Sequence, residues 1–189
     1  MRGLLRLAVA LAAGAVVLMA FRALALTVYN VDGEGLQPLF VQGDRILVNR
    51  WSYGLRAGYD DGGGLFGYGR ICHSQVRRGD VVAFDNPSDS LQGVFVCQCV
   101  AIPGDTVSYK GTSFVLPGVY SCADEDYYWM KSLNGDNPFD SGLFGPLPES
   151  RIIGRVCIVL YNHDDRQWFF QGFNGKRFLR LVGSMEGRE

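Results

Sequence analysis

After residue 26 the chain never sustains the 3.6-residue apolar period of a long amphipathic helix. It is built instead from short runs rich in Val, Ile, Phe and Tyr, broken by turn formers. Glycine dominates those breaks, with 25 in 189 residues. Such punctuation suits strands joined by tight turns, so a mostly β fold is expected. The length allows one domain with a real core plus a short additional segment.

Strands are expected at residues 22–31 and 44–51, in "RRGDVVAFDNP", on both sides of the Pro-Gly turn of "GVFVCQCVAIPGDTVSY", in "DYYWM" and in "SRIIGRVCIVLY". "QWFFQGFN" and "KRFLRLV" close the domain, and residues 54–69 read as a glycine-rich loop. Arg78-Gly79-Asp80 reads as a tight turn before a strand, not as an adhesion motif. "YKGT" reads as a hairpin turn that leaves Lys110 solvated. The aromatic runs read as core.

The first 26 residues differ. Arg2 and Arg6 precede an apolar run from Leu7 to Phe21. With its flanks it approaches the length needed to span a bilayer. The early arginines would keep the N-terminus cytoplasmic and leave residues 27–189 outside. Arg22 would reach toward the outer headgroups. Ala23-Leu24-Ala25 keeps a second reading open, a signal peptide cleaved after Ala25. A buried core helix fits less well, because no polar face interrupts the run.

The net charge of -1 and the absence of a basic stripe argue against nucleic-acid binding. Five cysteines (Cys72, Cys97, Cys99, Cys122, Cys157) are an odd number. Outside the cytoplasm Cys72 and Cys122 form a conceivable disulfide. Cys97 and Cys99 share one strand face and do not suit each other. His73 and His163 lack metal-ligand spacing and read as solvated turn residues. No metal or cofactor is expected.

Four segments together resemble bacterial type I signal peptidase. "LQPLFVQGDRILVNRWSYG" is similar to S-M-x-P-T-L-x-x-G-D-x-x-L-V-N-K-x-x-Y-G. "RRGDVVAFDNP" is similar to R-G-D-V-V-V-F-x-x-P. "VCQCVAIPGDTV" is similar to V-K-R-V-x-G-L-P-G-D-x-V. "DSGLFGPLPESRIIGRV" resembles D-S-R-x-F-G-x-V-P-x-x-x-I-x-G-x-A. Order and spacing agree from about residue 22 onward. The resemblance implies a signal-peptidase-type β domain behind one transmembrane helix, in the bacterial cytoplasmic membrane. It implies hydrolysis of preproteins after small-x-small sites by a serine activated by a neutral lysine.

The positions that should carry this chemistry hold other residues. Anchored on Pro38 and Gly43-Asp44, the nucleophile falls on Gly35 and the oxyanion donor on Gly33. Anchored on Pro103-Gly104-Asp105, the lysine base falls on Cys97 and the next arginine on Gln98. The serine that supports the lysine falls on Pro138, and the arginine of D-S-R on Gly142. Asp140 and Ser141 remain. Gly135-Asp136-Asn137 is either a displaced remnant of a family motif or chance.

Three functions are therefore open. One is a catalytically silent relative that binds an extended peptide by strand addition between Val31, Asp32 and Gly33 on one side and Val94, Phe95 and Val96 on the other. Its partner would be a secreted preprotein, a surface-assembly protein or an active signal peptidase. Asp32 and Glu34 would disfavour an apolar signal segment there. The second is a working peptidase using Ser52 or Ser141 with Lys110 or Lys131. The third is a structural subunit of an envelope complex. By resemblance, Trp168, Phe169 and Phe170 are candidates for contact with the membrane interface.

Overall fold

The computed structural model describes residues 2–32, 36–57, 69–86, 93–135, 137–163, 172 and 174–183. A helix, α1 (Arg2–Ala25), leads directly into β1 (Leu26–Asn30) and then β2 (Asp44–Asn49). There follow β3 (Leu55–Ala57), β4 (Gly69–Ile71), β5 (Val81–Asp85), β6 (Val94–Ala101), β7 (Thr106–Tyr109) and β8 (Thr112–Val115). The chain continues with β9 (Tyr127–Lys131), the single-turn α2 (Ser141–Phe144), β10 (Leu147–Pro148), β11 (Ile152–Asn162) and β12 (Arg180–Leu181).

One antiparallel sheet carries the domain, in the order β1-β2-β11-β5-β6-β9-β10, with β12 paired to β11. Strand alternation divides its side chains between two cores. Ile46, Val48, Val81, Ala83, Val96 and Val156 fill one. Val82, Phe84, Cys97, Cys99, Tyr128 and Met130 fill the other. A strand buried on both faces has to be apolar at every position, which explains the unbroken Val-Val-Ala-Phe of β5.

Three turns share one construction. In residues 41–44, 77–80 and 102–105, the first residue's carbonyl accepts from the fourth residue's N–H at 3.1, 3.2 and 3.0 Å. The fourth residue is aspartate, and its carboxylate accepts from the first residue's N–H at 2.9, 3.1 and 2.9 Å. The third residue is glycine with φ of 85°, 87° and 89°, a conformation that a side chain disfavours. Each carboxylate then takes an arginine. Asp44 pairs with Arg177, Asp80 with Arg155 and Asp105 with Arg78. Asp80 also accepts from the Tyr53 hydroxyl at 2.9 Å.

α1 is apolar on all sides, and Leu7, Leu11, Val17 and Leu18 are exposed. It meets the sheet domain at β1 and at the turn Arg50–Tyr53. Among the described residues, no helix is long and apolar enough to cross a membrane.

Several local expectations need correction. Residues 22–25 are helical and not extended, because α1 runs on to Ala25. The segment expected to be a glycine-rich loop begins and ends in an antiparallel ribbon, β3 with β4. Arg56 and Arg70 pin that ribbon, the first to Asp85 and the second to backbone carbonyls of Gly54, Glu149 and Ile152. All five cysteines are free, so Cys72 and Cys122 are not joined. His163 is buried, with its N–H donating to the Gly43 carbonyl, rather than solvated. Trp168, Phe169 and Phe170 lie outside the described residues.

Candidate functional site

A cleft of about 520 Å³ opens between the end of β1 and the start of β6. Tyr29, Asn30, Val31 and Asp32 form one wall, and Val94, Phe95 and Val96 the other. Leu36, Ile46, Gly93, Asn137 and Phe139 complete it. Volume and lining both fit a ligand site, largely apolar with a few polar groups. Asp32 is its one charged residue among those described, and Asn30 Nδ2 donates to Asp32 Oδ1 at 2.9 Å.

Among the described residues, both walls carry main-chain groups that no neighbouring strand pairs. Val31 spends its N–H and C=O on β2's side, on the Asp44 carbonyl at 2.8 Å and the Gly43 N–H at 3.0 Å. By alternation the N–H and C=O of Asn30 and Asp32 face away from β2. On β6, Gly93 accepts from Asn86 and Cys99 donates to Asp80, which fixes which residues bond to β5. Val94 and Val96 therefore turn their main-chain groups outward. β9 pairs with β6 only from Gln98 to Ala101, so that stretch has no strand beside it among the described residues. Two open edges facing one cleft are what an added strand requires.

Cys97 does not line this cleft. Its side chain falls on the other core, 2% exposed, beside Cys99 and Met130. Its thiol donates to the Phe139 carbonyl at 3.4 Å. Burial, with a smaller contribution from Asp140, pushes the thiol up to about 12. Burial thus favours the neutral thiol at Cys97. Gly33 and Gly35 lie outside the described residues, and glycine supplies no side-chain chemistry at either position.

The alternative catalytic groups are scattered. Lys110 is exposed at the β7–β8 hairpin, with Nζ 5.1 Å from the Tyr109 ring centroid. Lys131 is exposed at the end of β9, opposite Gln98. Ser141 is buried, its Oγ accepting from the Met130 N–H at 2.8 Å, and Ser52 lies in the turn after β2. None of the four lines the cleft. Among the described residues no group of three His, Cys, Asp or Glu is arranged for a metal.

The match to known proteins follows the same stretch of chain. Residues 4–123 match the family model for "Signal peptidase, peptidase S26". The chain belongs to this signal peptidase family. It is 29% identical over 210 aligned positions to signal peptidase IB of Staphylococcus aureus (strain MRSA252), covering 92% of this chain and 97% of that protein. It is 24% identical over 159 to signal peptidase I V of Bacillus subtilis (strain 168), covering 68% and 82%. Against signal peptidase I of Leptolyngbya laminosa the identity is 24% over 152, covering 68% of this chain but only 65% of that protein's length.

Seen within the signal peptidase family, the cleft is lined by Val31, Asp32, Val94, Phe95 and Val96 together with residues that sequence reasoning did not name for it: Tyr29, Asn30, Leu36, Ile46, Gly93, Asn137 and Phe139. The last two stand just ahead of "DSGLFG", a motif whose position carried the signal. A largely buried cluster with an exposed histidine at its edge was also missed. His73 Nε2 lies 2.9 Å from Glu149 Oε1, and Arg70 Nε lies 3.1 Å from the same oxygen. Burial pushes the Glu149 carboxyl above its ordinary range against the pull of His73 and Arg70. The cluster ties β4 and the segment after it to the turn Glu149–Arg151.

Proposed function

We propose that this chain is a membrane-anchored signal peptidase relative that holds an extended peptide in its cleft without cleaving it. One observation carries the reading: the described cleft lining contains neither serine nor lysine, while both walls keep open strand edges. A signal peptidase needs a nucleophile and a base in reach of the peptide bond. Here the base position is a buried neutral thiol bonded to a backbone carbonyl. The partner on this reading is a secreted preprotein, a surface-assembly protein or an active signal peptidase.

We further propose that α1, whose described residues fall short of a full span, is the chain's anchor in the cytoplasmic membrane, with its N-terminus inside and the β domain on the external side. Its exposed apolar side chains on every face suit lipid and would be costly in water. Val28, Leu47, Ile158 and Leu181 stand in register across β1, β2, β11 and β12, forming an apolar row just beyond the helix. Exposed Val28 and Leu181 at the ends of that row favour contact with the membrane surface. The exposed Cys72 and Cys122 report the topology. A membrane-impermeant maleimide is expected to label them in spheroplasts without lysis. Labelling only after lysis overturns the orientation.

The activity test uses the purified full chain in detergent with phospholipid, a preprotein bearing a small-x-small site, and an authentic signal peptidase in parallel. No cleavage above background is expected while the control cleaves. Cleavage that is lost on replacing Ser52, Ser141, Lys110 or Lys131 overturns the silent reading.

A further inference from the structure

We propose that the cleft selects an extended segment in which a large apolar side chain is flanked by lysine or arginine, with Asp32 as the residue that reads the charge. The inference rests on the peptide-binding reading above and names the ligand's chemistry.

Three observations converge. The first is room. A cleft of about 520 Å³ walled by Tyr29, Phe95 and Phe139 is far larger than a pair of methyl groups needs. An occupant with only small side chains leaves most of that apolar surface in water, whereas a leucine or phenylalanine covers it.

The second is charge. Asp32 is the one charged residue of the described lining. Its Oδ1 is held by Asn30, which fixes the carboxylate at the mouth of the cleft. The other charges nearby lie outside the described lining, among them Arg45, which stands opposite Asn30 in register. Arg56, which influences Tyr29 from outside the lining, is committed to Asp85 at 2.7 Å. Asp140 caps α2 by accepting from the Gly142 N–H at 2.8 Å, and its charge adds to the negative side. Arg50 also acts on Tyr29, from the turn after β2 and outside the lining.

The third is alignment. The outward main-chain groups on one wall belong to Asn30 and Asp32 themselves. A strand added at that edge runs alongside the Asp32 side chain. Residues two apart on that strand share a face, so an apolar residue seated between the aromatics brings its second neighbours toward Asp32. A neighbour carrying ammonium or guanidinium pairs with the carboxylate. A carboxylate there is repelled.

The test is fluorescence anisotropy with the purified full-length chain in detergent and four fluorescein-labelled decapeptides on one Ser/Thr framework. Their centres are Lys-x-Leu-x-Lys, Glu-x-Leu-x-Glu, Lys-x-Ala-x-Lys and Ala-x-Ala. Lysine on both sides makes the comparison independent of peptide direction. The lysine-leucine peptide is expected to bind about ten-fold more tightly than its glutamate twin at low salt, as attraction replaces repulsion at a partly solvated carboxylate. Asp32→Asn reduces the ratio to about two-fold, Asp32→Lys inverts it, and raising the salt compresses it. Equal binding of the lysine and glutamate peptides, or a preference that Asp32→Lys leaves intact, overturns the charge assignment. Equal binding of the leucine and alanine peptides overturns the apolar half. If none of the four binds saturably, the peptide-binding reading falls and this inference falls with it.

Discussion

The Cys97 thiol points away from the cleft and donates to the Phe139 carbonyl, while the Phe139 ring stacks against Phe95, which lines the cleft. The position that family resemblance assigns to a lysine base is thus occupied by a core side chain.

Cys97→Lys is therefore expected to destabilise the domain and not to awaken it. A buried ammonium with one carbonyl for company costs about 3 kcal/mol or more, a fall of roughly 6–12 °C in melting temperature for a domain of this size. Thermal unfolding by circular dichroism checks this, with Cys97→Ser as the control for loss of the thiol alone. An unchanged melting temperature would mean that the side chain at 97 reaches solvent or the cleft.

Alkaline pH should weaken the fold earlier than a typical domain. Burial pushes the thiols of Cys97 and Cys99 from 9.0 up to about 12. Between those values the folded chain keeps protons that the unfolded chain has released. Stability is complete below about pH 9 and declines as the pH climbs toward 12, by about 1.4 kcal/mol per pH unit for each thiol. Burial pushes the Tyr53 and Tyr128 phenols up as well, and they add to the decline. Urea midpoints measured at pH 8, 9, 10 and 11 read the slope, which Cys97→Ser with Cys99→Ser should flatten below pH 10.

Gly43 and Gly104 fill the same place in two turns of the same build, yet they should respond differently to alanine. Both have positive φ, which costs a side chain about 1–2 kcal/mol. A Cβ at Gly43 also meets the His163 carbonyl oxygen at 2.4 Å, whereas one at Gly104 meets nothing within 4 Å. Gly43→Ala is expected to lower stability by at least about 2 kcal/mol more than Gly104→Ala. Denaturant unfolding of the two variants decides it, and equal losses would refute the close approach.

Arg177→Ala should be among the most damaging substitutions outside the core. Asp44 is fully buried and bound by Arg177, by Asn162 Nδ2 at 2.9 Å and by the Val41 N–H. Removing the guanidinium leaves a buried carboxylate without its counter-charge, at a cost of about 3–5 kcal/mol. Arg78→Ala, which removes the partner of the less buried Asp105 from an exposed position, should cost far less. Chemical denaturation at neutral pH compares them.

What the sequence made legible was local. Glycine followed by aspartate announced three turns, and the two-residue spacing of Cys97 and Cys99 announced that they share a strand face. What it left out depends on distant partners. Nothing near Asp44 in the chain names Arg177, and nothing near His73 names Glu149. The β3–β4 ribbon escaped notice because arginine contacts, not an apolar period, hold its short strands in place. Cys97's orientation was hidden for another reason. A motif alignment assigns a residue to a position, but the pairing of β6 with β5 and β9 settles which core that residue turns to.

The Asp44–Arg177 pair also sets an order of events during biosynthesis. The carboxylate leaves the ribosome 133 residues ahead of the guanidinium that neutralises it. Until Arg177 arrives, closing the turn at 41–44 would bury an unpaired charge. The turn at 41–44 thus waits for a residue that lies beyond β11, and the nascent chain stays unlatched there, accessible to chaperones and proteases, until Arg177 has been made.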